Sequence, residues 1–309
     1  MQTSNLMEQA KKRNKFWKRH QTPFIVGMLS VAVINFAVFW LYVNFSSILM
    51  AFESPGVDGF TLINFENAFK EFTMADSVLP NALVNTLKCF IVALCITTPA
   101  SLFCSYFLFK KIALYKFFRI VFFLPSIINV VVMTCLFSYM ASVNPEGILT
   151  IIVQGILGLD EPPILFGDSR YAMNTIILYN IWTGLGVNII LFSGAMARIP
   201  EDVIEYGRLE GLGFTRELLQ VVAPMIWPTI STVLTLAIVG LFNSSGPILF
   251  FTKGAFDTYT ISYWIFDQVY HRGVYEYASA VGLIFTFIGL PIALLAKWGL
   301  GKVGTDVEY

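Results

Sequence analysis

FIVGMLSVAVINFAVFWLYVNFSSIL, residues 24–49, holds no charged side chain. An α-helix rises about 1.5 Å per residue, so about 20 apolar residues reach across the hydrocarbon layer of a bilayer. This run is longer than that. Five more apolar runs follow, at roughly 82–109, 118–141, 172–197, 225–251 and 276–298. In an open chain only helices satisfy their own backbone inside lipid. The ten-residue alternation of a membrane barrel is not visible. The reading is an all-α, polytopic membrane protein with six transmembrane helices, and the lipid bilayer is its solvent.

Composition agrees. Of 309 residues 56% are hydrophobic and only 13% are charged, against about 25% charged in an average soluble domain. That excludes a soluble enzyme, a secreted domain and a disordered chain. Lys+Arg and Asp+Glu number 20 each, so the basic excess expected of a nucleic-acid partner is absent. Cys89, Cys95, Cys104 and Cys135 all fall in apolar runs without CxxC spacing. They read as apolar filler, with no disulfide and no metal site.

The charges orient the helices. Lys11, Lys12, Arg13, Lys15, Lys18 and Arg19 precede the first span, Lys110, Lys111, Lys116 and Arg119 follow the second, and Arg198, Arg208 and Arg216 follow the fourth. With Lys297 and Lys302 in the tail, fifteen cations lie on one side and four on the other. The positive-inside rule then places both termini in the cytoplasm. The domain reading is a basic cytoplasmic segment 1–23, a six-helix membrane domain 24–298, and a cytoplasmic tail 299–309. The first run is too long for a signal h-region and lacks an A-x-A-like cleavage site, so it reads as a retained helix.

Catalytic motifs are missing. There is no G-x-x-x-x-G-K-[ST] loop, no H-E-x-x-H and no G-x-S-x-G, so nucleotide, zinc and serine-hydrolase chemistry lack their residues. The spans hold almost no acid, which a proton- or sodium-coupled carrier usually buries. The chain reads as a non-enzyme that needs no cofactor of its own, driven from outside itself.

The informative loop joins spans four and five, residues 199–224. It begins Ile199-Pro200-Glu201-Asp202-Val203-Ile204-Glu205-Tyr206-Gly207-Arg208-Leu209-Glu210-Gly211-Leu212-Gly213-Phe214 and ends Val221-Val222-Ala223-Pro224. Pro200 suits a first helical turn, where its missing N–H costs nothing. Glu201 and Asp202 favour the positive end of the helix dipole. Gly211 and Gly213 break the helix, and a second helix runs from about Thr215 toward Pro224. The product is a helix–turn–helix on the inner membrane face. On physics alone, two readings stand: a surface another protein's backbone can approach at Gly207 and Gly211, or an ordinary amphipathic connector.

This loop resembles the EAA motif of binding-protein-dependent ABC importer permeases. That pattern reads Glu-Ala-Ala, three residues, Gly, nine residues, Ile-x-Leu-Pro. Glu205, Gly211, Val221 and Pro224 fall at the Glu, Gly, Ile and Pro, with the spacing kept throughout. Tyr206 and Gly207 replace the two Ala, and Ala223 replaces the Leu. Further stretches resemble the carbohydrate branch, of maltose and glycerol-3-phosphate type: Asn85-Thr86-Leu87, Arg119 with Phe123-Leu124-Pro125, and Phe242-Asn243 with Thr252-Lys253-Gly254 and Thr258. The basic N-terminus is more like the first permease of the pair than the second.

The resemblance implies a bacterial plasma-membrane permease subunit that forms half of a sugar or oligosaccharide path. Its partners would be a second permease, a dimer of ATPase subunits binding ATP and Mg, and an extracytoplasmic solute-binding protein. The helix around Val203–Leu209 would be the coupling helix, with Glu205 and Gly211 as its main residues and Val203, Tyr206, Gly207 and Pro224 beside them. A sugar path needs amides, hydroxyls and aromatics at mid-membrane. The candidates are Asn180 and Trp182, with Asn188 two turns on, then Asn243 and Ser244, then Ser126 and Asn129. Interhelical hydrogen bonding is the competing use of each. Few cations line the spans, so a neutral solute is expected. The alternative is a membrane scaffold or sensory subunit that recruits a cytosolic partner without transport.

Overall fold

The computed structural model describes residues 23–56, 59–74, 77–242 and 246–303. The basic segment lies outside them up to residue 22, as do the tail residues 304–309. Among the described residues there is no β-strand. Four helices are long and apolar enough to cross a membrane: α1 (Pro23–Ala51), α3 (Val78–Phe109), α7 (Ala172–Met196) and α13 (Tyr275–Lys302). They match the first, second, fourth and sixth apolar runs.

The third and fifth runs are not single rods. The third splits into α4 (Tyr115–Ile127) and α5 (Val130–Met140), bent by 110°. Pro125 stands inside α4 and withdraws an N–H from its ladder. Asn129 then begins α5 as its N-cap, its side chain accepting from the Val131 N–H at 2.9 Å. The fifth run divides likewise. α9 (Phe214–Met225) meets α10 (Trp227–Phe242) at Ile226 with a bend of 81°. α10 is described to Phe242, and α11 (Gly246–Phe251) lies on the far side of residues 243–245. Counting each bent pair as one span gives six. The connecting loops carry helices as well: α2 (Ile63–Thr73), α6 (Ile148–Leu157) and α12 (Ile261–Tyr270).

α7 is the axis of the fold. α3 and α4 pack along it, and α10 crosses it. Two glycines set these approaches. A Cβ on Gly186 would stand 2.7 Å from Ser126 Oγ and 2.8 Å from the Phe122 carbonyl oxygen, both on α4. A Cβ on Gly184 would stand 3.3 Å from the Thr97 methyl, in the π-helical stretch Ala93–Thr97 of α3. Small residues matter here because lipid supplies no hydrophobic drive between helices, so close backbone contact must do that work. α13 lies against α1, α2 and α10, and Trp227, an interface-belt residue by its sequence position, donates its indole N–H to the Leu300 carbonyl on α13 at 3.0 Å.

Candidate functional site

At one end of the bundle the chain leaves α7 and forms α8 (Glu201–Leu209). Its first turn is acidic through Glu201 and Asp202. The inward face is fixed by Ile204, 6% exposed, and by Ile199 just before the helix. Both belong to one core cluster with Tyr106 of α3, Phe192 and Met196 of α7, Leu218 and Val222 of α9, and Ile226. The outward face carries Glu205, Tyr206 and Leu209; Tyr206 is 70% exposed and Leu209 83%. Val203 is half-buried and Pro224 exposed.

The turn follows from its glycines. Gly211 has φ +71, the left-handed region where a side chain is strained. The Leu212 N–H reaches back to the Gly207 carbonyl at 3.0 Å. Gly207 is itself buried, and a Cβ there would lie 3.4 Å from Leu212 Cδ1 and 4.0 Å from Val221 Cγ2. Phe214 opens α9 and wedges its ring among Tyr106, Phe107 and Phe103, at centroid distances of 4.6, 4.8 and 5.9 Å. The helix–turn–helix is thus seated on the ends of α3 and α7.

A buried ion pair reinforces that seat. Glu217, on α9 and 3% exposed, pairs with Lys110 at the end of α3. The Lys110 ammonium also lies 5.5 Å from the Tyr106 ring centroid and suits the negative end of the α3 dipole. The sequence reading missed the pair, taking Lys110 only as an orienting cation. Its one local signal is an acid directly before an apolar run, Glu217-Leu218-Leu219.

In mid-bundle an open cavity of about 370 Å³ lies between α3, α7 and α10, lined in part by Thr97, Thr98, Asn180, Gly184 and Asn188. Of the expected path residues that are described, Asn180 and Asn188 line it. Trp182 lies two residues from Asn180, on another face of α7. It packs on Phe137 at 6.0 Å, in a cluster with Tyr179, Phe166 and Phe251. Ser126 donates to the Phe123 carbonyl at 2.7 Å and faces Gly186, while Asn129 is the α5 cap. Asn243 and Ser244 lie outside the described residues. No metal-holding group of His, Cys, Asp or Glu occurs among the described residues.

At the opposite end, two stretches distant in sequence lock together. Asn85 Nδ2 donates to the carbonyls of Asp257 at 2.6 Å and Tyr259 at 3.0 Å. The Thr86 hydroxyl accepts from the Ile261 N–H at 3.0 Å. The Thr252 and Thr258 hydroxyls share a 2.5 Å hydrogen bond. Gly254, at φ +77, lies where a Cβ would strike the Tyr259 ring. Beyond this latch, Asp267 receives His271 Nδ1 at 3.0 Å and Arg272 Nε at 3.3 Å. Burial, then the Asp267 charge, push the Tyr259 and Tyr263 hydroxyls above their ordinary value.

Broken apolar helices around a glycine-notched axis, with a helix–turn–helix fixed at one end, define an all-helical protein of polytopic membrane type. The chain belongs to the family of binding-protein-dependent transport system inner membrane components, whose sequence profile matches residues 97–303. It is 27% identical over 183 residues to the probable ABC transporter permease protein YurN of Bacillus subtilis, a match spanning 58% of this chain and 62% of that relative. It is 22% identical to the arabinooligosaccharides transport system permease protein AraP of Bacillus subtilis, over 92% of this chain and 90% of AraP. The multiple sugar-binding transport system permease protein MsmF of Streptococcus mutans matches at 22%, over 92% of this chain and 95% of MsmF. The fold is that of a chain in a bacterial ABC transporter involved in the import of alginate. There the TM-score is 0.80 at 20% identity, covering 94% of this chain and 100% of that one.

Proposed function

We propose that this chain is a permease subunit of an ATP-driven importer for a sugar or oligosaccharide, with six crossings and both termini in the cytoplasm. Residues 24–298 form the membrane domain, and 1–23 and 299–309 its cytoplasmic ends. Family membership supports the permease role, and the sugar relatives AraP and MsmF support the solute class. The cation bias puts α8 at the inner face. Lacking a phosphate-binding loop, the chain takes its drive from partner ATPase subunits. A second permease completes the path, and an extracytoplasmic binding protein delivers the solute.

The observation that carries coupling is the seating of α8. A helix that transmits motion must be gripped on one side and offered on the other. Ile204 and Ile199 lie in the core while Tyr206 and Leu209 stand exposed. Glu205 then meets the ATPase surface, Tyr206 and Gly207 shape the contact, and Gly211 holds the turn. In the assembled complex, Glu205→Lys and Gly211→Pro should sharply lower binding-protein-stimulated ATP hydrolysis without loss of membrane insertion. Wild-type hydrolysis in both overturns the coupling role.

Asn180 and Asn188 stand four residues before and four after Gly184 on α7, and share the mid-bundle cavity. Paired amides suit sugar hydroxyls, each offering donor and acceptor. The double variant Asn180→Leu, Asn188→Leu should lose solute uptake while the complex still assembles. Unchanged uptake removes these residues from the path.

A further inference from the structure

A separate cavity, also of about 370 Å³, opens beside the half-span α5. Volumes of this order take small-molecule ligands. It shares no lining residue with the mid-bundle cavity. Thr134, Cys135, Ser138 and Tyr139 line it from α5, Ser142 from just past the helix end, and Phe250 from α11. Residues 134 and 138 are four apart, as are 135 and 139 beside them, so these four share one face of the helix. The other side of α5 is occupied: Met133 and Phe137 are buried in the aromatic cluster with Tyr179, Trp182 and Phe251. That packing fixes how α5 is turned.

The cavity face sets hydroxyls and rings together within a membrane span. Thr134 donates to the Val130 and Val131 carbonyls at 2.9 Å, and Ser142 to the Pro145 carbonyl at 2.6 Å. Each keeps oxygen lone pairs for an incoming donor. Among the described residues, the Ser138 and Tyr139 hydroxyls have no hydrogen-bond partner. A hydroxyl in a span can turn onto a carbonyl of its own helix, as exposed Thr232 and Thr286 do four residues back. Ser138 is exposed and does not. Such groups are costly against hydrocarbon, so this face calls for a polar partner from outside the chain. The rings narrow the choice. Tyr139 is 77% exposed and Phe250 42%. A partner helix would need small residues for close backbone approach, and Tyr139 stands in its way. No charged side chain lines the cavity, so the partner is neutral. A sugar ring, with an apolar C–H face and a rim of hydroxyls, meets both halves of this surface.

We infer that this cavity is a sugar subsite distinct from the one at Asn180 and Asn188. Tyr139 and Phe250 cover the C–H face of one neutral sugar ring. Ser138 exchanges hydrogen bonds with its hydroxyls, and Thr134 and Ser142 accept from them. The cation bias makes the end of α5 the outer one, so solute meets this subsite before the mid-bundle cavity. The inference rests on the importer reading for the solute class and for that order of contact.

The test uses Cys135, exposed in the same cavity, as a built-in reporter. Cys89, Cys95 and Cys104 are replaced by Ala, and the assembled complex is placed in lipid nanodiscs. A permanently charged thiosulfonate reagent is added with and without glucose, galactose, arabinose or maltotriose. The reacting thiolate forms in water and not in hydrocarbon, so labelling of Cys135 is expected. At least one of the four sugars should slow it, by about twofold where half of the sites are filled, while betaine at equal concentration should not. Tyr139→Ala and Phe250→Ala should each remove that protection. Ser138→Ala should weaken it by roughly threefold, the scale of one neutral hydrogen bond. Absence of labelling overturns the inference, whether lipid or a partner helix covers the face. Labelling that no sugar slows, or that betaine slows equally, overturns it too. Binding-protein-stimulated ATP hydrolysis in the same nanodiscs keeps the two readings apart. Hydrolysis that persists beside an unprotected thiol sinks the subsite alone; protection without stimulated hydrolysis sinks the importer reading alone. Should the ring and serine variants fail to assemble, labelling and protection of Cys135 in the otherwise intact cavity decide the matter.

Discussion

Along α7, ten residues are buried, from Ala172 to Met196. Along α1, a still more apolar helix with mean hydropathy 2.3 against 1.6, Ala51 is the only buried residue. Hydrophobicity does not decide burial here, since both would dissolve in lipid. One difference is the small residues set among the large ones along α7. α7 brings Gly184, Gly186 and Thr175 to its neighbours, and these let backbones come together. α1 meets its surroundings with Phe36, Phe39, Trp40 and Tyr42, each more than half exposed. In this solvent small residues let helix backbones come close; α1 meets α13 through its Val43–Ala51 end and leaves the bulky stretch before it exposed.

Substitutions can break or sharpen that contrast. The largest effect is expected at the foot of the notched bundle. Lys110→Met leaves the Glu217 carboxylate buried without its partner, a loss of about 3–5 kcal/mol. Reversible unfolding in micelles should register it, and the double variant Lys110→Met, Glu217→Met should recover much of the loss. Next, Gly186→Val on α7 should cost about 1–3 kcal/mol, because α4 backbone stands in the way. Gly184→Ala meets only the Thr97 methyl, which can shift, so about 1 kcal/mol or less is expected. Gly27→Val on α1 has open space around it and should change stability by no more than about 0.5 kcal/mol. Equal costs at residues 27 and 186 would erase the contrast.

A last, smaller effect lies beyond the spans. The raised Tyr259 and Tyr263 hydroxyls keep their protons in the folded chain when the unfolded chain releases them. Their contribution is therefore complete below the ordinary tyrosine value of 10.0 and is lost as pH rises past it. The unfolding midpoint should fall between about pH 9 and pH 11, and Tyr259→Phe should flatten that fall.

Sequence reading located four spans closely and the glycine turn at Gly211 almost to the residue, because hydropathy and glycine placement report directly on those features. It drew 118–141 straight, since a hydropathy window averages across a bend. Pro125 and the capping Asn129 were the signals for the 110° turn, and the second was set aside as a sugar ligand. Helices α2, α6 and α12 lie between the apolar runs and are each too short to register as a span. Asn180 was legible as a polar residue at mid-span, yet Trp182 was grouped with it although helical geometry turns the two apart. Pairing between distant helices, as in Lys110–Glu217, leaves almost no trace in local pattern.

The latch that closes on Asn85 has a consequence for how the molecule is made. Its halves are 172 and 174 residues apart, so the second crossing leaves the ribosome long before Asp257 and Tyr259 are synthesised. Until they arrive, the Asn85 amide must find some other acceptor, from water or a chaperoning insertase. The Val78–Phe109 helix thus settles only when the segment around Asp257–Tyr259 reaches it, with α13 alone among the long helices still to come.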